Sequence, residues 1–188
     1  MSRPWADVLA EHQRVIAALC SHGEVVDAIA DRITTTFAAG GRVLIFGNGG
    51  SAADSQHIAA ELLGRFKRDR APAAAIALTT DTSILTAVAN DLGYEHVFER
   101  QVRGIGRPGD VAIAISTSGG SATVLNAMRA AREIGMIVIG LTGERGAAMA
   151  DMCDLAFIAP HTQSDRIQEC HQLAYHYICE RVESRLPQ

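Results

Sequence analysis

The chain has only four cysteines in 188 residues, Cys20, Cys153, Cys170 and Cys179, and no two of them stand in C-x-x-C spacing. That excludes a disulfide framework; a core of this size needs no staples, so buried free thiols are expected. No apolar run approaches the ~20 residues that span a bilayer. The first residues, MSRPWADVL, lack the charged-then-apolar order of an export signal. The expectation is a cytoplasmic protein with no membrane partner. Positive charge is also short, with 17 Lys+Arg against 21 Asp+Glu and a net charge of −4. The basic residues are scattered except for Arg65-Phe66-Lys67-Arg68-Asp69-Arg70, which argues against a nucleic-acid partner. That short cluster suits the flank of an anionic site or a subunit contact. Nucleotide motifs are missing too: no Lys-Ser or Lys-Thr closes a glycine loop, and GNGGSAADS lacks the G-x-G-x-x-G spacing.

At 48% hydrophobic and 20% charged residues, the chain suits one globular domain over residues 1–188. Ser2 with Pro4 starts a first helix that runs to Gly23 on Val8, Leu9, Val15, Ile16 and Leu19. Val25, Val26, Ile29, Ile33 and Phe37 stripe a second, ended by Ala39-Gly40-Gly41. Residues 1–41 are thus a helical hairpin, equally suited to covering its own sheet and to packing on a neighbouring subunit. From residue 42 onward, strands alternate with helices. Strands are expected at Arg42–Phe46, Ala73–Leu78, Asp110–Ile115, Met136–Leu141 and Leu155–Ile158. Asp81 or Thr82 should cap the helix that ends near Asn90, a short helix should span Gly146–Met152, and Ser164 or Asp165 should cap a last helix over Arg166–Ser184. Short turns between alternating elements give an α/β fold, a three-layer αβα sandwich on a five-stranded parallel sheet over residues 42–188.

The most informative stretch is RVLIFGNGGSAADSQHIAAELLGRF at 42–66. A buried strand meets Gly47-Asn48-Gly49-Gly50, a turn that needs positive φ or close backbone approach, and Ser51 is placed as the cap of the next helix. Amides at such a helix start favour an anion, commonly phosphate. His57 and Glu61 stand four apart on one face of that helix, one turn beyond the anion. The same strand, small-polar turn and helix recur at Ser116-Thr117-Ser118-Gly119-Gly120-Ser121. Two such turns at the carboxyl ends of parallel strands are a stronger phosphate signal than one. An ordinary helix ion pair is the competing reading of His57 with Glu61, and His171 reads as a core histidine.

With GNGGSAADSQHIAAELLGRF, ISTSGGSATVLNA and DRIQECHQLAYH placed together, the chain resembles the phosphoheptose isomerases of the sugar isomerase (SIS) domain superfamily over nearly its whole length. The resemblance implies a SIS fold of the flavodoxin or Rossmann-like type. It implies sugar-phosphate binding by Ser51, Ser116, Thr117, Ser118 and Ser121 with amides of the two turns, Gly49 and Gly50 among them. Asn48, Arg65, Asn90, Asp91, Asp165, Gln168 and Glu61 complete the implied substrate pocket. Glu61 and His176 match the catalytic pair, and His57, Glu61, Gln168 and His176 match the ligands of one zinc per subunit. A homotetramer with active sites between subunits is implied as well. Gln168 and His176 are eight residues apart, roughly 12 Å along a helix. Both must then extend toward a metal near Gln172, or they arrive from different subunits.

The implied reaction converts D-sedoheptulose 7-phosphate to D-glycero-D-manno-heptose 7-phosphate through an enediol, at the start of ADP- or GDP-heptose precursor synthesis. A carboxylate and an imidazole suit its proton transfers, and zinc suits its oxygens. The competing reading is a non-catalytic SIS module that binds sugar phosphates or the replication initiator, for which Glu61 and His176 would be superfluous. Isomerisation of a hexose or pentose phosphate keeps the chemistry and changes the pocket.

Overall fold

The structure, a computed structural model, describes residues 3–187. Ser2, half of the expected helix start, lies outside them; the first helix, α1, spans Trp5–Ala18 with Pro4 at its N-cap. It stops short of Gly23, because Leu19–His22 tighten into a 3₁₀ turn before α2 (Gly23–Ala38).

Five strands form one all-parallel sheet: β1 (Val43–Gly47), β2 (Ala75–Ala77), β3 (Val111–Ser116), β4 (Ile137–Gly143) and β5 (Leu155–Ala159). Their order is β2-β1-β3-β4-β5. The expected three-layer sandwich is present, with shifted strand ends. β1 starts one residue late because the Arg42 N–H goes to Asp110 Oδ1 at 2.9 Å. β2 is shorter than Ala73–Leu78: the Ala73 N–H bonds the Leu62 carbonyl at 3.2 Å instead of a ladder partner.

Alternating side chains send Val43, Ile45, Val111, Ile113, Ile115, Ile139, Leu141 and Phe157 to one face. There they meet α1, α2, α3 (Gly50–Leu63) and α8 (Ser164–Glu183). Leu44, Phe46, Ala112, Ala114 and Val138 face the other side, against α4 (Thr82–Leu92), α5 (Val97–Ile105), α6 (Ala122–Ile134) and α7 (Ala147–Ala150). The hairpin covers its own sheet through α2, whose Ile29 and Ile33 are fully buried, while Trp5 and Leu9 of α1 stay exposed.

Asp81 caps α4 as expected, accepting the Ile84 N–H at 2.9 Å. The expected caps of α3 and α8 are corrected. Gly49, at φ +56°, takes the N-cap of α3, so Ser51 lies inside the first turn. Gln163 takes that of α8, because the Ser164 hydroxyl turns to Thr117 and the Asp165 carboxylate to Arg166. The thiols of Cys170 and Cys179 are buried and Cys153 is half-buried, but Cys20 is exposed in the 3₁₀ turn. Among the described residues no helix is long and apolar enough to cross a membrane.

Candidate active site

Adjacent strands β1 and β3 deliver both small-residue turns to one edge of the sheet, where the strand order reverses and ligand crevices form. Asn48, Ser51, Ile115, Ser116, Thr117, Ser118 and Ser121 line a pocket of about 240 Å³. The helices α3 and α6 both begin there. The amides of Gly50 and Ser51, and of Ala122 and Thr123, have no carbonyl one turn back inside their helices. Two positive helix ends on one pocket favour a phosphate. Asn48 ties the turns together, donating to Ser121 Oγ and Thr123 Oγ1 at 2.7 Å each and accepting from the Tyr94 hydroxyl at 3.1 Å.

Three glycines of the turns, Gly47, Gly50 and Gly119, stand where a side chain would meet a neighbour. A Cβ on Gly47 would stand 2.7 Å from the Ile115 carbonyl, and one on Gly50 would collide with the Gln168 amide. Gly119, at φ +68°, leaves no room for a Cβ over Gly146.

Further along α3, His57 Nε2 is 3.0 Å from Glu61 Oε1 and 3.5 Å from His176 Nε2 of α8. The two helices run side by side in the same direction, Gly50 beside Gln168, His57 beside Tyr175 and His176. Phe66 stacks on the His176 ring, with centroids 5.7 Å apart and planes 12° apart. Burial, helped by neighbouring His57, lowers the His176 pKa and favours neutral imidazole.

One ligand atom from each of His57, Glu61 and His176 falls within 4.8 Å of the others. Zinc bonded at ~2.0–2.2 Å in a tetrahedron spaces its ligand atoms roughly 3.3–3.6 Å apart; the 3.5 Å contact is of that size and the 3.0 Å hydrogen bond is somewhat shorter. Two nitrogens and a carboxylate oxygen also match zinc's preferences.

The other expected residues are distributed around these two centres. The Gln168 amide rests over Gly50, seven residues and roughly 10 Å of helix before His57. Arg65 is exposed just after α3, near the His176 end. Asn90 and Asp91 are exposed at the end of α4, where Asn90 Nδ2 donates to Asp91 Oδ1 at 2.8 Å. Asp165 is exposed one residue from Ser164, whose hydroxyl lies 3.2 Å from Thr117 Oγ1. His171 is a core histidine: fully buried, its Nε2 donating to the Thr142 carbonyl at 3.1 Å, with burial pushing its pKa down to about 4.

Sequence reasoning missed several supporting residues. Tyr175 places its hydroxyl 3.0 Å from His57 Nδ1, and Thr123 and Tyr94 complete the Asn48 network. The Arg65–Arg70 cluster belongs partly to the interior. Arg70 donates to the Glu61 carbonyl at 2.6 Å and pairs with Glu183, whose carboxylate accepts the backbone N–H groups of Phe66, Lys67 and Arg68. The loop carrying Phe66 is thereby fixed to α8.

Two small-residue turns meeting at the switch point of a parallel sheet are the layout of a doubly wound α/β ligand-binding domain, and the SIS domain family model matches residues 8–143. The chain is 56% identical over 162 residues to a phosphoheptose isomerase from Roseiflexus sp. (strain RS-1), covering 86% of this chain and 82% of that one. A solved phosphoheptose isomerase from Neisseria gonorrhoeae superposes with a TM-score of 0.90 at 44% identity, over 95% of this chain and 96% of that one. One from Francisella tularensis gives 0.89 at 32%, over 97% and 100%. The chain belongs to the phosphoheptose isomerase family of SIS-domain proteins.

Proposed function

We propose that residues 1–188 act as one SIS domain and isomerise D-sedoheptulose 7-phosphate to D-glycero-D-manno-heptose 7-phosphate. The observation that carries this is the placement of a phosphate pocket and a His57–Glu61–His176 cluster along the same helix, α3. An extended seven-carbon chain with ~1.5 Å bonds reaches roughly 9 Å from its phosphate to C1. Six residues of helix, from Ser51 to His57, advance the same roughly 9 Å.

In this reading the hydroxyls of Ser51, Ser116, Thr117, Ser118 and Ser121, with the first amides of α3 and α6, hold the phosphate. Gly49 and Gly50 let the backbone approach it, and Asn48 keeps the two turns in register. Glu61 takes a proton from C1 of the ketose and returns it to C2. His176 supplies a hydrogen to the oxygen on C2 and recovers one from the oxygen on C1. The enediol between these steps carries its charge on oxygen. Zinc held by His57, Glu61 and His176 would polarise the carbonyl and stabilise the negative charge that develops on oxygen. Phe66, stacked on His176, covers one side of the imidazole and keeps water from it.

Arg65, Asn90, Asp91, Asp165 and Gln168 complete the substrate contacts in an assembled homotetramer. Gln168 also joins the metal there, from a neighbouring subunit. The roughly 10 Å of helix between Gly50, which Gln168 covers, and His57 supports that division, as do Trp5, Leu9, Leu173 and Tyr177, apolar side chains left exposed on α1 and α8.

A binding-only role is not favoured, since Glu61 and His176 would then have no use and the relatives bear an isomerase name. The test follows aldose formation from sedoheptulose 7-phosphate, with ribulose and fructose phosphates for comparison. Glu61→Gln keeps the shape and removes the base, so turnover should fall ~10²–10⁴-fold with little change in substrate affinity. Parent-like turnover in Glu61→Gln would falsify the enediol assignment.

A further inference from the structure

His57 has contacts of opposite demand on its two ring nitrogens. A hydrogen bond from Nε2 to the Glu61 carboxylate, 3.0 Å away, needs a proton on Nε2, whereas coordination needs a lone pair there. A neutral ring passing between these states moves its hydrogen to Nδ1. The partner of Nδ1 must therefore donate in one state and accept in the other. A carbonyl or carboxylate only accepts; a hydroxyl does both. The partner present is the Tyr175 hydroxyl, at 3.0 Å. Behind it stands Asp54, whose Oδ1 is 3.4 Å from that hydroxyl and whose Oδ2 is buried without a partner among the described residues.

We propose that Tyr175, backed by Asp54, is a positioning residue that sets the tautomer of His57. Its hydroxyl donates to Nδ1 while Nε2 bonds Glu61. It accepts from Nδ1–H, and gives its own hydrogen to Asp54, when Nε2 turns its lone pair to a divalent cation. The inference rests on the metal reading above and extends it to two residues outside the ligand set. Packing alone does not account for the hydroxyl. Tyr175 is 1% exposed, and its ring meets His57 edge-on at 5.3 Å. Phenylalanine would fill that space equally well, yet it would leave Nδ1 facing carbon in place of a hydroxyl. Asp54 completes the chain as an acceptor the hydroxyl can reach without leaving His57.

The test uses the full chain and zinc alone, with no substrate. Zinc affinity is measured against a competing chelator, and the His57 tautomer is read from long-range ¹⁵N NMR of the ring. In the parent, zinc should move the ring hydrogen of His57 from Nε2 to Nδ1. Tyr175→Phe should bind zinc roughly 10–100-fold more weakly, the range typical for loss of a partner behind a metal ligand, and Asp54→Ala should fall between it and the parent. Equal zinc affinity and the same tautomer in parent and Tyr175→Phe would overturn the inference and leave the metal reading standing. A parent that binds no zinc would overturn both. If Tyr175→Phe does not fold, Asp54→Ala decides, and parent-like affinity in that variant counts against the proposal.

Discussion

Replacing Glu183 by glutamine removes a charge on which one wall of the site depends. The carboxylate is 3% exposed, accepts N–H groups from Phe66 and Lys67 at 2.8 Å and Arg68 at 3.0 Å, and faces Arg70 Nε at 3.6 Å. Burial alone would raise its pKa; the three amides and Arg70 outweigh burial and hold it below the ordinary value. The Arg70 side chain is 2% exposed, so Glu183→Gln leaves a buried cation without its counterion, which costs about 3–5 kcal/mol. In a chain of this size each kcal/mol moves Tm by roughly 2–4 °C, so melting at neutral pH should fall by roughly 10 °C. Because the folded pKa lies below the unfolded one, this stability is fully present above about pH 4.5 and is lost as pH falls through the folded pKa. The gap between parent and variant should therefore close in acid. Loosening residues 66–68 also frees Phe66 from His176, and a displacement of ~1 Å at a reacting group costs up to ~10²-fold in turnover. Thermal melts at fixed protein concentration, with turnover assayed well below both midpoints, check the two parts. A Tm change under about 3 °C at neutral pH, or a gap that persists unchanged in acid, would refute the reasoning.

Ser118→Ala should raise the dissociation constant for sugar phosphate by roughly threefold to tenfold, the worth of one neutral hydrogen bond of ~0.5–1.5 kcal/mol; calorimetry showing no change in Ser51→Ala, Ser116→Ala and Ser118→Ala would misplace the phosphate. His171 makes the fold acid-sensitive in a defined window, since the unfolded chain takes up its proton below about pH 6.5 and the folded chain only near 4. Stability should fall by about 3 kcal/mol across that window relative to His171→Leu, and urea unfolding curves whose pH dependence is parallel in the two proteins would contradict it. Light scattering should find a tetramer at assay concentrations, and a fully active monomer would confine Gln168 and His176 to one chain.

The strands, the two turns and the pairing of His57 with Glu61 were legible because each is a local pattern. Apolar runs end in small residues, and the spacing of four on one helix is visible in the sequence. The cap of α3 was misread because a serine after glycines looks like a capping side chain, whereas the positive φ of Gly49 turns the chain one step earlier. At α8 the capping residues had competing partners, Thr117 and Arg166, that only the tertiary fold supplies. Tyr175 gave no signal, because its contact with His57 joins two helices far apart in the chain. Glu183 was silent for the same reason: nothing near it in sequence hints at three waiting amides. Chemistry-bearing residues can be read from type and spacing, while those that hold them in place are found only once the helices are packed.

The pairing of β1 with β3 couples ligand binding to folding. Gly47 lies opposite Ile115 in that ladder, so the two phosphate turns face each other only when residues 43–47 and 111–116 are joined. Each turn alone is half a binding surface attached to its own strand and helix. A sugar phosphate held as proposed would bridge segments more than sixty residues apart and oppose their separation. The ligand should protect the central strands from amide exchange as strongly as it protects the turns. At a hundredfold excess over its dissociation constant it adds about 2.7 kcal/mol to the stability of the whole fold. Cells rich in substrate would thus hold a sturdier protein than cells starved of it, with no regulator involved.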